Sequence, residues 1–466
     1  MKQWRKFFVK SIALALFLGM LTGCAFEKTK MEKEQVTLRI KLPPLTVANA
    51  DTGIADSYKM LTQAGEEFAD QYEEYDVKVE IVKFNYTEED DYITGCFDTD
   101  NAADILFEGY FNMAGYIHTG RVVPLDDIIT DELRADIDDS LWKMSQVDGK
   151  TYMLPYYSLQ NTLIYNKDLF RKCGLTQYIG TNYTIQSWSP ADWETILSAL
   201  AKNLPEMSYP MMMYAKNDQG DTHIMTLLRS KGSSFFDENG YFNLNTEEGI
   251  AALQWLVDCY HSGYFPLGCE NMEIIDCSAL FENNQLAIYI ANSATMDNSD
   301  LASVGIANFP SQDGKGYTTS FVTGFEIFDN GDARKLQVAK DFLRYFVANE
   351  EYMNYAQVGI PASKATSKRV SEYIFMQDAY TANAANTVDF TANNPNWRGV
   401  RDVFYTHIHE LLTGVKTPQE VAEAFGRNEK EKTAILNYLL PKMLTAGFVT
   451  VTIASVLIAG VVIRML

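Results

Sequence analysis

An α/β chain folded as two lobes is what this sequence predicts, and three observations predict it. Strand and helix patterns alternate along the first part of the chain, in the order that builds parallel sheets. More than 400 residues lie between two apolar ends, which is more than a single hydrophobic core usually organises. From Thr151 the pattern changes to a strand-rich stretch with an internal proline.

The chain begins with a basic start, Lys2, Arg5, Lys6 and Lys10, followed by the nearly uncharged stretch Ser11 to Gly23. That stretch is too short to span a bilayer comfortably and fits the apolar core of an export signal. Leu21, Thr22, Gly23 and Cys24 resemble a bacterial lipoprotein processing box, in which Cys24 takes the lipid and becomes the first mature residue. Residues 1–23 then form the signal peptide and residues 24–35, polar and without a core pattern, a tether.

VTLRIKL alternates as a strand, Ser57 to Tyr75 reads as a helix, and VKVEIVKF is a second strand. ADILFEGY, from Ala103, is a third strand, and GRVVPLDDII turns into a further helix. In the central region, strands flank Pro155 and a short helix covers Lys167 to Lys172. SPADWETILSALAKNL carries a clear helix start: Ser189 caps, Pro190 takes the first helical position, and Trp193, Ile196, Leu197 and Leu200 line one face. NTEEGIAALQWLVDCYHSGY is another amphipathic helix, ended by Gly263. ALFENNQLAIYIANS ends in a strand that presents Asn292 and Ser293; TGFEIF is a strand and ARKLQVAKDFLRYFVANEEY a long helix. NWRGVRDVFYTHIHELLTG and a helix after Pro418 complete the soluble part. Met443 to Ile463 is 21 residues without a charge. As a helix it is about 30 Å long, enough to cross the hydrocarbon core, so a C-terminal hydrophobic helix and second membrane anchor is expected there.

The formal charge of −22 repels a nucleic-acid backbone, so nucleic acid is not an expected partner. Cys96, Cys173, Cys259, Cys269 and Cys277 show no metal or redox spacing. The last three could contain a disulfide or remain buried thiols. His118, His223, His261, His407 and His409 form no zinc motif, and no phosphate loop or nucleophile elbow is present. Neither metal nor cofactor is expected.

In open α/β lobes, ligands gather beyond the carboxyl ends of strands. The residues so placed are Glu108, Tyr110 and Phe111; Tyr157, Ser158, Gln160 and Asn161 beside the central proline; and Asn292 and Ser293. Trp397 adds an aromatic platform. This equipment suits a sugar, whose C–H face packs on rings while amides and carboxylates satisfy its hydroxyls. With 27 Tyr and 26 Phe, a single ring is as readily core as platform; convergence in one cleft decides.

The residues resemble the extracellular solute-binding proteins of the maltodextrin-binding, or family 1, type. The most specific stretch is DGKTYMLPYYSLQNTLIYNKDLF, residues 148 to 170, with YNKDLF at Tyr165 to Phe170. GRVVPLDDII, SWSPADWETI, FLRYFVANEEY and VGIPASKA follow in the family's order. The resemblance implies a two-lobed, periplasmic-binding-protein-like fold of type II, hinged at three crossings near Pro155–Leu159, Gly305–Asn308 and Gly359–Pro361. The solute-binding domain is then 36–437, with lobe one 36–156 and 307–358 and lobe two 160–304 and 362–437. It supports Tyr157, Gln160, Asn161 and Trp397 as ligand contacts, and adds Asp221, Thr222 and His223 in a second-lobe loop and Thr323, Gly324 and Phe325 on a cleft-facing strand. Leu159 stands where the maltodextrin pattern has an acid, so the cargo need not be maltodextrin. What the resemblance implies is carbohydrate capture by lobe closure at the outer face of the membrane, delivery to ABC permease subunits, a monomeric binding domain and no catalysis. A ligand-sensing receptor and a glycoside-processing enzyme are the alternatives.

Overall fold

β1 (Gln35–Leu42) buries Val36, Leu38, Ile40 and Leu42 against one core, the period of two that the sequence shows. The computed structural model describes residues 33–85, 89–216, 221–236, 242–296, 298–389 and 391–425. After β1 comes α1 (Ser57–Gln71), begun by the Asp56 carboxylate accepting the Tyr58 N–H and packed through Met60, Leu61, Ala64 and Phe68. β2 (Asp76–Lys83) runs parallel to β1 on one side. α2 (Glu89–Gly95) leads to β3 (Ile105–Gly109), parallel to β1 on its other side. α3 (Met113–His118), α4 (Asp131–Asp136) and α5 (Asp139–Met144) follow, then the small hairpin β4 (Gln146–Val147) and β5 (Lys150–Thr151).

β6 (Leu154–Asn166) leaves this lobe and enters the next without interruption. α6 (Lys167–Lys172), β7 (Ile185–Gln186) and α7 (Pro190–Asn203) build the second lobe; α7 has the expected Ser189 cap, closed into a capping box by Asp192. β8 (Tyr209–Met211), α8 (Asp221–Arg229), α9 (Glu247–His261), α10 (Ile274–Glu282), β9 (Leu286–Asn292) and β10 (Val304–Ala307) complete its sheet and one cover. β11 (Thr318–Ile327) returns to lobe one, where α11 (Ala333–Ala348) and α12 (Glu350–Met353) pack. β12 (Ile360–Pro361), α13 (Lys364–Arg369), α14 (Gln377–Asn383), β13 (Thr387–Val388) and α15 (Trp397–Leu412) lead back over lobe two.

One sheet therefore threads both lobes, with β11 and β6 as its shared centre. A core around Leu38, Phe107, Phe325 and Phe346 fills lobe one. A second, around Trp193, Leu253, Ile288 and Phe404, fills lobe two. The second crossing lies farther along the chain than Gly305–Asn308. β10 stays in lobe two, paired antiparallel with β6 from Leu163 to Asn166, and Gly305 lies so close to the Tyr165 ring that a Cβ would collide with it. Ala307, Phe309 and Tyr317 consequently belong to the second core, and β11 carries the chain across. β12 pairs with β6 at Tyr157 and Ser158, which places three strands side by side at the hinge.

The five described cysteines are free thiols, and burial pushes Cys259 up to about 12. Cys24, the export signal and residues 443–463 lie outside the described residues. Among the described residues no helix is long and apolar enough to cross a membrane.

Candidate functional site

Side chains of a strand alternate between faces, and at the hinge this alternation divides β6 into two surfaces. Leu159 and Asn161 look one way, called the front below; Ser158 and Gln160 look the other way. The neighbouring β11 repeats the division, because Leu159 stands opposite Phe321, Asn161 opposite Thr319, and Gln160 opposite Ser320.

On the front, aromatic rings from both lobes meet. Phe111, in the turn after β3, is only partly buried and packs against both cores. Its ring lies 4.5 Å from Phe321 edge-on and 6.2 Å from Trp397 in a stacked orientation. Trp397 opens α15 from lobe two, is 1% exposed, and also touches Phe236 at 6.5 Å. Beside this pair the Tyr110 hydroxyl donates to Asp389 Oδ1 at 3.1 Å, linking the lobes. Asp389 Oδ1 is held in place by the Thr391 N–H and hydroxyl, both at 2.9 Å. Burial, reinforced by the Asp389 charge, keeps the Tyr110 hydroxyl well above its ordinary pKa and hence a donor. The same lobe-two segment leans farther onto lobe one. Asn393 Nδ2 donates to the Gln146 carbonyl at 2.9 Å, and a Cβ on Gly115 would stand 3.1 Å from the Pro395 oxygen.

Polar groups line the front next to these rings. Asn161 Nδ2 donates to Thr319 Oγ1 at 3.1 Å, and Thr319 Oγ1 lies 3.4 Å from Thr226 Oγ1 on α8. Asn161 Oδ1 is buried with no hydrogen-bond partner among the described residues. A buried carbonyl left so costs about 1–3 kcal/mol, which a hydroxyl donor reaching it would recover. At the start of α8, where Asp221 is the first residue, Thr222 and His223 are buried. The Tyr214 hydroxyl and His223 Nδ1 share a hydrogen bond, and burial lowers the imidazole to about 4, so it is neutral at pH 7.

The back of the hinge is the opposite in character. Gln160 Nε2 donates to the Tyr380 carbonyl at 2.8 Å, and its Oε1 accepts from Asn383 Nδ2 at 3.0 Å. Its backbone exchanges bonds with Ser293, whose N–H donates at 2.9 Å and whose hydroxyl accepts at 3.3 Å. Gln160 and Ser293 thus clamp α14 and the β9 exit to the hinge and do not reach the aromatic pair. Asn292 closes a turn, its Oδ1 accepting the Ala294 N–H at 3.0 Å.

The remaining expected residues are spread through lobe one. Tyr157 is buried, with its hydroxyl donating to the Thr46 carbonyl at 3.1 Å in the loop after β1. Glu108 is buried in β3 opposite Gly324, where a Cβ would collide with the Leu154 carbonyl. Phe325 is stacked on Phe107 at 4.4 Å inside the lobe-one core, so it does not face the front. The bulge at Thr323/Gly324 comes just before it. Sequence reasoning missed Thr319, Phe321, Thr226, Phe236 and Asp389. The period of two in TTSFVTGF would have flagged Thr319 and Phe321 once β11 was paired with β6. His407 and His409, adjacent but one in sequence, take separate partners: Glu410 at 2.7 Å and Asn271 at 3.3 Å.

Residues 59–353 match the family described as bacterial extracellular solute-binding protein. A binding protein of Brucella abortus (strain 2308) is 22% identical over 335 residues, covering 68% of this chain and 77% of that protein. An ABC substrate-binding protein from Listeria monocytogenes, solved in complex with cycloalternan, is 17% identical with a TM-score of 0.65 over 86% of this chain and 99% of that one. The sugar-binding protein MalE from Xanthomonas citri is 15% identical with a TM-score of 0.68 over the same 86% and 99%. These likenesses establish the fold, two α/β lobes about a hinge.

Proposed function

We propose, for a chain that belongs to the bacterial extracellular solute-binding protein family, that it captures a carbohydrate by closing its two lobes and hands it unchanged to an ABC permease. The observation that carries this reading is the front of the hinge. There Phe111 and Trp397 face each other from opposite lobes, beside the buried acceptor Asn161 Oδ1. Rings that hold the C–H faces of a sugar, and an amide oxygen waiting for a hydroxyl, recognise a polyhydroxyl ring and supply no nucleophile or proton relay.

Closure follows from the same residues. A solute that touches Phe111 on one lobe and Trp397 and Asn161 on the other binds the closed form better than the open one, and that difference shifts the population. The Tyr110–Asp389 bond and the contact of Asn393 with Gln146 then close over the solute from the side. Ser158, Gln160, Asn292 and Ser293 shape the hinge behind this front. The Listeria and Xanthomonas proteins, named for cycloalternan and sugar, support the cargo class.

Export and anchoring through a lipid on Cys24 would hold the domain at the outer face of the cytoplasmic membrane. Residues 443–463 would supply a second anchor, and tethering would raise the concentration of loaded protein beside its permease. Calorimetry of the full chain against mono- and oligosaccharides tests the reading. Saturable binding of one carbohydrate class supports it, and silence across the panel removes the cargo assignment.

A further inference from the structure

At the front, two strand ends meet along one flank of β11. β3 runs antiparallel to β11 and ends with Gly109 opposite Thr323, after which the Tyr110 N–H donates to the Val322 carbonyl at 2.9 Å. β13 runs parallel to β11, with Val388 opposite Thr319. On the other flank of β11, Asn161 stands opposite Thr319. Asp389, the residue after β13, is thus one position beyond the row that holds Asn161 and Thr319, and it meets Tyr110 across the gap beside Phe321. From this juxtaposition we infer that the solute is an aminated sugar, a hydroxylated ring carrying a protonated amine that Asp389 reads. The inference names the cargo within the carbohydrate-capture reading and rests on it.

The Asp389 carboxylate is only half used by the protein. Its Oδ1 accepts from the Tyr110 hydroxyl at 3.1 Å and from the Thr391 N–H and hydroxyl, both at 2.9 Å. Its Oδ2 accepts no hydrogen bond, and Asp389 makes no ion pair, among the described residues. The residue is half-buried, so its charge has given up part of its water without gaining a cation. An ammonium group entering beside it makes a charge-assisted hydrogen bond to Oδ2 and offsets that cost.

The surroundings favour the same charge. The Tyr110 ring lies 5.0 Å from Phe111, which packs on Phe321 and Trp397, and the faces of such rings attract cations. His223 is neutral and brings no opposing charge. Arg398 and Arg401, the next cations along α15, hold interactions of their own within the protein. The formal charge of −22 also concentrates cations around the whole molecule. What separates an aminated sugar from a bare diamine is the neighbouring row. Asn161 Oδ1 is a buried acceptor without a partner, and the Thr319 and Thr226 hydroxyls lie 3.4 Å apart beside it, so hydroxyls have their own readers.

Calorimetry of the full chain at pH 7 tests this with glucosamine and its disaccharide against glucose, N-acetylglucosamine, neutral oligosaccharides and putrescine. At least one aminated sugar should bind roughly tenfold or more tighter than its neutral counterparts and than putrescine. Asp389→Asn keeps an Oδ1 for Tyr110 and Thr391 and removes the charge, so the ratio of aminated to neutral affinity should fall to about one. A urea midpoint shows whether that variant is folded; if it is not, the comparison of glucosamine with N-acetylglucosamine in the unaltered chain decides alone. Aminated sugars that bind no tighter than neutral ones overturn the inference. So does putrescine that matches them, or a preference that survives in folded Asp389→Asn. Neutral oligosaccharides that bind while aminated sugars do not overturn this assignment and leave carbohydrate capture standing, whereas silence from every sugar removes both.

Discussion

Gln160 and Asn161 are adjacent amides on one strand, both fully buried, and they differ in how their oxygens are used. Gln160 spends both ends of its amide on α14, through the Tyr380 carbonyl and Asn383 Nδ2. Asn161 donates to Thr319 but leaves Oδ1 without a partner among the described residues. The Gln160 amide is satisfied within the protein, whereas Asn161 keeps an acceptor open on the proposed ligand face. That asymmetry, one residue apart, separates a residue that holds the fold from one proposed to read a ligand.

The largest effect expected is at Trp397, where front and core coincide. Trp397→Ala should destabilise the chain by about 3–5 kcal/mol in urea denaturation, as large aromatic truncations in cores do, and should abolish carbohydrate binding in calorimetry. A normal midpoint with lost binding would show that Trp397 serves only the ligand. Next comes acidity, sensed through His223 beside the front. Its folded value is lowered to about 4 from 6.5, so the unfolded chain binds a proton that the folded chain refuses. Stability should thus be full above pH 6.5 and fall as pH drops towards 4, by up to roughly 3 kcal/mol, with His223→Gln flattening the curve.

The amide pair itself gives the sharpest contrast. Asn161→Leu should lower carbohydrate affinity about 10- to 100-fold while changing unfolding free energy by less than about 1 kcal/mol. Gln160→Leu should do the reverse, costing about 1–3 kcal/mol of stability, since the Tyr380 carbonyl and one N–H of Asn383 lose this partner, with affinity changed less than about threefold. Equal effects from both would dissolve the distinction between front and back. The smallest change belongs to Tyr110→Phe, which removes the hydroxyl's bonds to Asp389 and Thr391. It should shift the open–closed balance by about 0.5–1.5 kcal/mol, seen as a wider distance distribution between spin labels on the two lobes.

Much of this arrangement was legible in the chain. Strands announced themselves by alternation and α7 by its Ser189–Pro190 start, and YNKDLF marked the exit of β6 into α6. Phe111 was legible as a candidate because it follows a strand, Asn161 because it stands beside the central proline, and Trp397 as an aromatic platform, the last two supported by the family resemblance. Pairing was not legible. Without knowing that β11 lies beside β6, nothing separates the faces of Ser158 and Gln160 from those of Leu159 and Asn161, nor places Thr319 next to Asn161. The same blindness moved the second crossing to β10, a short apolar strand whose partner decides its lobe, and drew Phe325 towards the cleft although its ring stacks on Phe107 in the lobe-one core.

Small-angle scattering of the full chain, titrated with the carbohydrate that calorimetry identifies, reaches the centre of the account. Saturable compaction that tracks occupancy one to one, with the sugar recovered intact, is the predicted result. Binding that leaves the dimensions unchanged, or a sugar recovered as a different compound, would contradict it.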